Sequence, residues 1–93
     1  MQWKLFATLA ETAGDSELEV PVEPEEPTLR DALDALVASE PALESQLLDD
    51  NGSLQPHIRL LCDGDDPFHA ADGWDTDVSS VDEIALFPPV TGG

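Results

Sequence analysis

The sequence predicts an α+β domain in which one main helix packs on one face of a mixed sheet of four to five strands. Apolar, strand-like segments lie near both ends of the chain, and an amphipathic helix lies between them. The segments follow the order strand, strand, helix, strand, strand, with no internal repeat. In this order the first and last strands can lie side by side and parallel in the centre of the sheet. This arrangement is the β-grasp fold.

The first half of the chain supplies two strands and a connection. Residues 3–9 are apolar and aromatic enough for a strand, and residues 9–13 resemble a helical turn that Gly14 can end. In residues 17–22 the apolar side chains of Leu18, Val20 and Val22 alternate with Glu17, Glu19 and Pro21, as in a strand with one buried face. The segment 23–27 carries two prolines and three carboxylates, which predicts an exposed connection.

The main helix is predicted to begin after Thr28, which is a favourable N-cap residue with Asp31 as its capping-box partner. Its apolar positions recur at three and four residues and form one core-facing side, made of Leu29, Ala32, Leu33, Leu36 and Val37. Pro41 ends this helix near Ser39. Proline is acceptable in a first helical turn, so a second, shorter helix is predicted to follow, with Leu43, Leu47 and Leu48.

The second half supplies two more strands. Residues 57–62 read as a strand after a turn at 49–52, and residues 65–80 are a loose acidic stretch. The unbroken apolar run 84–87 is typical of a strand buried on both faces, and two prolines end it. The globular domain is therefore predicted to cover residues 1–87, and an extended tail to cover 88–93.

The charge of the chain restricts its partners. The chain has 21 Asp and Glu residues and only three Lys and Arg residues, Lys4, Arg30 and Arg59, so the net charge is −18. Nucleic acid is excluded as a partner because little here can neutralise phosphates, and an anionic membrane would repel the chain. Molar salt shortens the Debye length to about 3 Å, so this composition favours a halophilic, salt-accumulating cytosol over an ordinary acidic protein tuned for solubility.

The chain is predicted to be cytoplasmic. Its first residues show no secretory signal pattern, and no apolar stretch approaches the ~20 residues that cross a bilayer. Cys62 is the only cysteine and cannot form an internal disulfide, in agreement with a reducing compartment.

The composition of the last six residues predicts an extended tail that a partner protein can grip. Pro88 and Pro89 favour an extended exit from the domain, so Val90 and Thr91 are expected to project. Gly92 and Gly93 lack a Cβ atom, which lets the backbone enter a narrow channel and present its carboxylate. The alternative interpretation is a frayed end.

Three segments together carry a family resemblance: FPPVTGG at the end, WKLFATLAETAG at the start and TLRDALDALVASEPAL in the predicted helix. They resemble the MoaD family and, within it, the small archaeal ubiquitin-like modifier proteins. The segment 65–80 is the least characteristic part. The resemblance implies a ubiquitin-like β-grasp domain that acts as a sulfur carrier or protein modifier and is not itself an enzyme.

The resemblance also implies how the chain works. An E1-like activating enzyme would use ATP to adenylate Gly93, after residues 88–92 have entered the channel of that enzyme. A thiocarboxylate on Gly93 would then supply sulfur, as a small subunit does for the large subunit of molybdopterin synthase. In the modifier branch, Gly93 would form an isopeptide bond with lysines of target proteins. No phosphate-binding glycine loop is present, so the chain is predicted to bind no ATP or other cofactor itself.

Individual residues remain open to two interpretations. Phe87 is either a docking residue for the partner enzyme or an ordinary core residue. Lys4, the only lysine, is a possible isopeptide acceptor, and any chain formation must use Lys4 or the N-terminus. His57, His69 and Cys62 lack the further cysteine of a metal-binding set, so no metal site is predicted.

Two rival functions belong to other classes. The first is a non-covalent β-grasp binding module whose tail is merely disordered. The second is a small electron-transfer protein, since ferredoxins share the fold. One cysteine cannot hold an iron–sulfur cluster that needs four thiolates, so the second rival fails.

Overall fold

The computed structural model describes residues 1–23, 25–70 and 72–88. In chain order its elements are β1 (Gln2–Leu5), α1 (Thr8–Ala13), β2 (Glu17–Glu19), α2 (Leu29–Ser39), α3 (Glu44–Leu47), β3 (Arg59–Cys62), α4 (Pro67–Ala70) and β4 (Glu83–Phe87). Short 3₁₀ turns lie at Pro41–Leu43 and Gly73–Asp75. The predicted order of four strands around one main helix is confirmed.

The strands form one mixed sheet in the order β2-β1-β4-β3. β1 and β4 are parallel, with Trp3 opposite Ile84 and Leu5 opposite Leu86. The two outer pairs, β1 with β2 and β3 with β4, are antiparallel. The first and last strands are therefore the central pair, as predicted. Two parallel strands need a crossover connection, and α2 lies within the connection from β1 to β4.

The hydrophobic core lies on one face of the sheet. Along β1, β3 and β4 the buried positions alternate with exposed or half-buried ones. The large side chains that are fully buried are Trp3, Leu5, Leu9, Leu29, Leu33, Leu36, Leu43, Leu47, Leu60, Val78, Ile84 and Leu86. Full burial of such a side chain contributes about 1.5–3 kcal/mol, so the apolar free energy of folding is concentrated on this face.

The start of α2 is fixed by a capping box. The Asp31 backbone N–H donates to Thr28 Oγ1 at 3.2 Å, and the Thr28 N–H donates to Asp31 Oδ2 at 3.0 Å. These two bonds satisfy N–H groups that have no partner inside the helix. The predicted core side of α2 is confirmed at four positions, but Val37 is only half-buried.

Thr28→Ala is expected to lower the free energy of unfolding by about 0.5–2 kcal/mol, because the side-chain acceptor of the capping box is lost. Urea unfolding followed by circular dichroism measures this change. Thr28→Ser is the matched control, since it keeps the hydroxyl group and should stay near the wild-type value. An alanine variant as stable as the serine variant would show that the capping box contributes nothing.

The first two strands are shorter than predicted. β1 ends at Leu5 because Ala7 takes a positive φ of 51° and turns the chain into α1. The predicted helical turn is confirmed, and Gly14 ends it with a φ of 85°. β2 ends at Glu19, although Val20 remains buried and its N–H donates to the Met1 carbonyl.

The prediction that residues 84–87 are buried on both faces is wrong. Ile84 and Leu86 are fully buried, but Ala85 and Phe87 are half-buried. Their side chains lie on the face of the sheet that is turned away from the core. An unbroken apolar run therefore does not mark two covered faces here, and its second face is accessible.

The prediction of a loose stretch at 65–80 is also wrong. This segment contains α4 and the second 3₁₀ turn, and Trp74 of that turn packs under Arg30 of α2 at 4.1 Å from the guanidinium carbon to the ring centre. Arg30 Nη1 also donates to the Gly52 carbonyl at 2.9 Å. Contacts with α2 order the segment, so the local sequence of residues 65–80 contains little indication of that order.

The longest helix within the described ranges, α2, has 11 residues. Nowhere in those ranges is a helix both long enough and apolar enough to span a membrane.

Candidate functional site

The predicted C-terminal tail, residues 88–93, follows β4. This strand is central, with β1 on one side and β3 on the other, and its last residue, Phe87, lies opposite Arg59. Pro88 is half-buried and closes the described part of the chain. The other residues of the predicted tail lie outside the described residues, so their roles remain sequence predictions: Pro89, Val90, Thr91, Gly92 and Gly93.

Phe87 does not belong to the core. It is half-buried on the open face of the sheet, where its ring stacks on the ring of Phe6 with centroids 4.4 Å apart and planes 10° apart. Stacked aromatic pairs add about 0.5–1.5 kcal/mol beyond their buried area. The pair therefore holds the base of the tail against the end of β1.

The aromatic pair is part of a larger apolar surface. Leu61 of β3 is half-buried opposite Ala85 of β4, and both alternate with core residues, so they share the open face with Phe87. We call Phe6, Leu61, Ala85 and Phe87 the docking face, after the docking role that the sequence predicts for Phe87. Sequence reasoning identified only Phe87, because Phe6 and Leu61 join it through strand register that a single sequence does not reveal.

Two cations lie beside the docking face. Lys4 is exposed, with its Nζ atom 5.7 Å from the centre of the Phe6 ring, and Arg59 lies opposite Phe87 on the neighbouring strand. Within the described part of the chain, neither side chain forms an ion pair. Lys4 and Arg59 therefore place positive charge beside the apolar surface of a chain whose net charge is −18.

His57 and His69 line one surface pocket together with Asp66, whereas Cys62 is not among its lining residues. Cys62 is buried in the core, and His69 is highly exposed, with its Nε2 atom 3.8 Å from an Asp66 oxygen. Over the described residues, no three His, Cys, Asp or Glu side chains are grouped so that they could hold a metal ion. The carboxylates of Asp63 and Asp66, together with the larger effect of burial, raise the pKa of the Cys62 thiol to about 11.

Cys62 is expected to make the fold less stable at alkaline pH. Burial raises the pKa of the Cys62 thiol from its ordinary 9.0 to about 11 in the folded chain, so the unfolded chain loses the thiol proton first as the pH rises. The stabilisation that comes from this pKa difference is fully present below pH 9.0 and is lost as the pH rises to about 11. The urea midpoint of the wild type should therefore fall more steeply over this range than that of Cys62→Ala. Parallel pH profiles of the two proteins would contradict the prediction.

A mixed sheet with parallel central strands, a helix across one face and a chain end that leaves a central strand define a ubiquitin-like β-grasp protein. Comparison with protein families identifies it further, since the model of the ThiS family matches residues 3–93. The chain belongs to the ThiS family.

Individual relatives agree with this assignment. The chain is 50% identical over 93 residues to small archaeal modifier protein 1 of Haloferax volcanii, and the match covers 100% of both chains. It is 32% identical over 93 residues to small archaeal modifier protein 3 of the same organism, with 100% of this chain and 98% of the relative covered. The crystal structure of the Haloferax volcanii modifier protein 1 matches with a TM-score of 0.85 at 47% identity, over 100% of this chain and 98% of that chain.

Proposed function

We propose that this chain is a ubiquitin-like protein modifier and sulfur carrier whose reacting group is the C-terminal carboxylate of Gly93. The observation that carries the proposal is the match to small archaeal modifier protein 1, at 50% identity over the full length of both chains. The geometry supports it, because β4 leads from the centre of the sheet to the tail and the docking face lies at the tail base.

The first step activates the C-terminal carboxylate of Gly93, which is unreactive by itself. A carboxylate is a poor acyl donor until one of its oxygens becomes part of a leaving group. In an E1-like partner enzyme, a Gly93 oxygen attacks the α-phosphorus of ATP and expels pyrophosphate, which leaves an acyl-adenylate on the chain. The partner supplies the ATP and the electrostatic stabilisation, and this chain is the substrate.

The adenylate can then react in two ways. Hydrosulfide attacks the carbonyl carbon, displaces AMP and loses its proton, which leaves a thiocarboxylate on Gly93. Inserted into the large subunit of molybdopterin synthase, this group supplies sulfur for the molybdenum cofactor. Alternatively, the amine of a target lysine attacks the same carbon and loses a proton, so that an isopeptide bond forms. Both reactions take place in the cytoplasm.

The docking face positions the tail on the activating enzyme. An apolar centre with unpaired cations at its edge fits a partner patch that has an apolar centre and acidic neighbours. Both rings of the stacked pair are half-buried, and aromatic side chains, phenylalanine included, are enriched at protein interfaces. Phe6 and Phe87 are therefore the proposed anchors.

Mass spectrometry of the chain isolated from its own cells tests the proposal. Cleavage after Glu83, the last glutamate, leaves residues 84–93 free or attached to a target lysine. We expect this peptide to carry sulfur in place of oxygen, or to be joined to lysine. Cells without the activating enzyme are the control. A terminus that is never modified would leave the non-covalent binding module, which the full-length likeness to modifier proteins does not favour.

A further inference from the structure

Folding leaves this chain one accessible amine. Lys4 is its only lysine, so the amino group of Met1 is the other candidate acceptor. That group donates to the Val20 carbonyl at 2.8 Å and lies 3.2 Å from a Glu19 carboxylate oxygen. Both contacts join the start of β1 to the end of β2. Acylation of Met1 would remove the charged donor from both contacts, whereas Lys4 is exposed.

Lys4 lies so close to Phe6 that acylation of its amine would affect the docking face. Its side chain reaches over the Phe6 ring, which stacks on Phe87, so the amine lies at the border of the docking face. A standard protein interface covers about 800 Å² on each partner. A partner centred on Phe6 and Phe87 therefore covers Lys4 as well.

We propose that acylation of Lys4 and docking on the activating enzyme exclude one another, so that Lys4 acylation switches the chain off. This inference rests on the proposed function. The Lys4 nitrogen attacks the carbonyl carbon of the Gly93 adenylate of a second copy. An amide bond forms, AMP leaves, and the nitrogen releases a proton. The product carries a second folded body beside Phe6 and has lost the Lys4 charge.

Two physical effects act together in the acylated chain. The attached body occupies the space into which the partner must pack, and the partner's carboxylates lose one of the two cations at the rim. A linked pair whose acceptor copy is acylated at Lys4 cannot be activated again through that copy. Conjugation then proceeds by single copies, and preformed chains are not transferred as a block.

A lysine-directed reagent tests the proposal because it has one accessible target. The full-length chain is treated with a biotinyl succinimide ester, and peptide mass spectrometry locates the adduct. Adenylation by the activating enzyme is then measured as ATP–pyrophosphate exchange. We expect one adduct, at Lys4, and a loss of exchange of about tenfold or more relative to the untreated chain, as for a blocked interface hot spot.

Lys4→Arg provides the matched control, since it keeps the positive charge but cannot be acylated. Treated and untreated Lys4→Arg samples should exchange at equal rates. The proposal is overturned by exchange that continues at the untreated rate after full Lys4 acylation, by an equal loss in treated Lys4→Arg, or by ready acylation of Met1. If the untreated wild-type chain supports no exchange, the proposed function itself fails, and the two failures are thus distinguishable.

Discussion

Removal of Gly92 and Gly93 will abolish both sulfur loading and conjugation while the body of the protein stays folded. The carbonyl that we propose as the reacting group belongs to Gly93, and a chain that ends at Thr91 presents a shorter tail whose last residue carries a Cβ atom. β4 ends at Phe87, and glycines have no side chain to bury, so the free energy of unfolding should stay within about 0.5 kcal/mol of the wild type. Mass spectrometry and urea unfolding measure the two results.

A chain extended by one alanine after Gly93 is the matched control for the deletion. It keeps both glycines and the whole tail but moves the free carboxylate by one residue. We expect it to be as inactive as the deletion, because activation depends on the placement of the carboxylate. Conjugates formed by either variant would contradict the assignment of Gly93, and unfolding of the deletion variant would contradict a domain boundary after residue 87.

Phe87→Ala is expected to have the second largest effect, on activation. The change removes one of the two stacked rings of the docking face and leaves Phe6 without its partner. Truncation of an interface anchor typically costs about 2 kcal/mol or more, so kcat/KM of the activating enzyme for this chain should fall by roughly 30-fold. The fall should come mainly from a higher KM, because the role proposed for Phe87 is to bind the partner and not to react.

Phe68→Ala is the control for Phe87→Ala. Phe68 is 39% exposed and contacts Trp74 edge-on, with ring centroids 5.3 Å apart, so it is another accessible phenylalanine in an aromatic pair. It lies in α4, outside the docking face. We expect its removal to leave kcat/KM unchanged. An equal loss in both variants would show that general destabilisation, and not the docking face, limits activation.

The parts of the fold that local sequence controls were predicted well. Thr28 and Asp31 fix the start of α2 within four residues of chain, and Gly14 ends α1 because it can take a positive φ at little cost. The apolar spacing of α2 marks its buried side for the same reason, since helix geometry alone sets which positions share a face. These features need no information from distant residues.

The parts that depend on pairing were predicted less well. The run 84–87 looked like a strand covered on both sides, but the helices of the described chain pack on one face only. Residues 65–80 looked loose because their order comes from Trp74 packing against Arg30 of another element. In both cases the deciding contacts lie between residues far apart in sequence, and no local pattern records them.

By itself, the sequence determined that this is an acidic chain with a β-grasp fold, because helix caps, apolar spacing and strand alternation depend on short stretches of residues. It also predicts that the reacting group lies at Gly93. Only the tertiary structure decided that Phe6 and Phe87 meet, that Lys4 stands beside them and that the amine of Met1 is held at the sheet edge. The physical reason is strand register. The parallel pairing of β1 with β4 joins the two ends of the chain, and that register is set by burial of the opposite face.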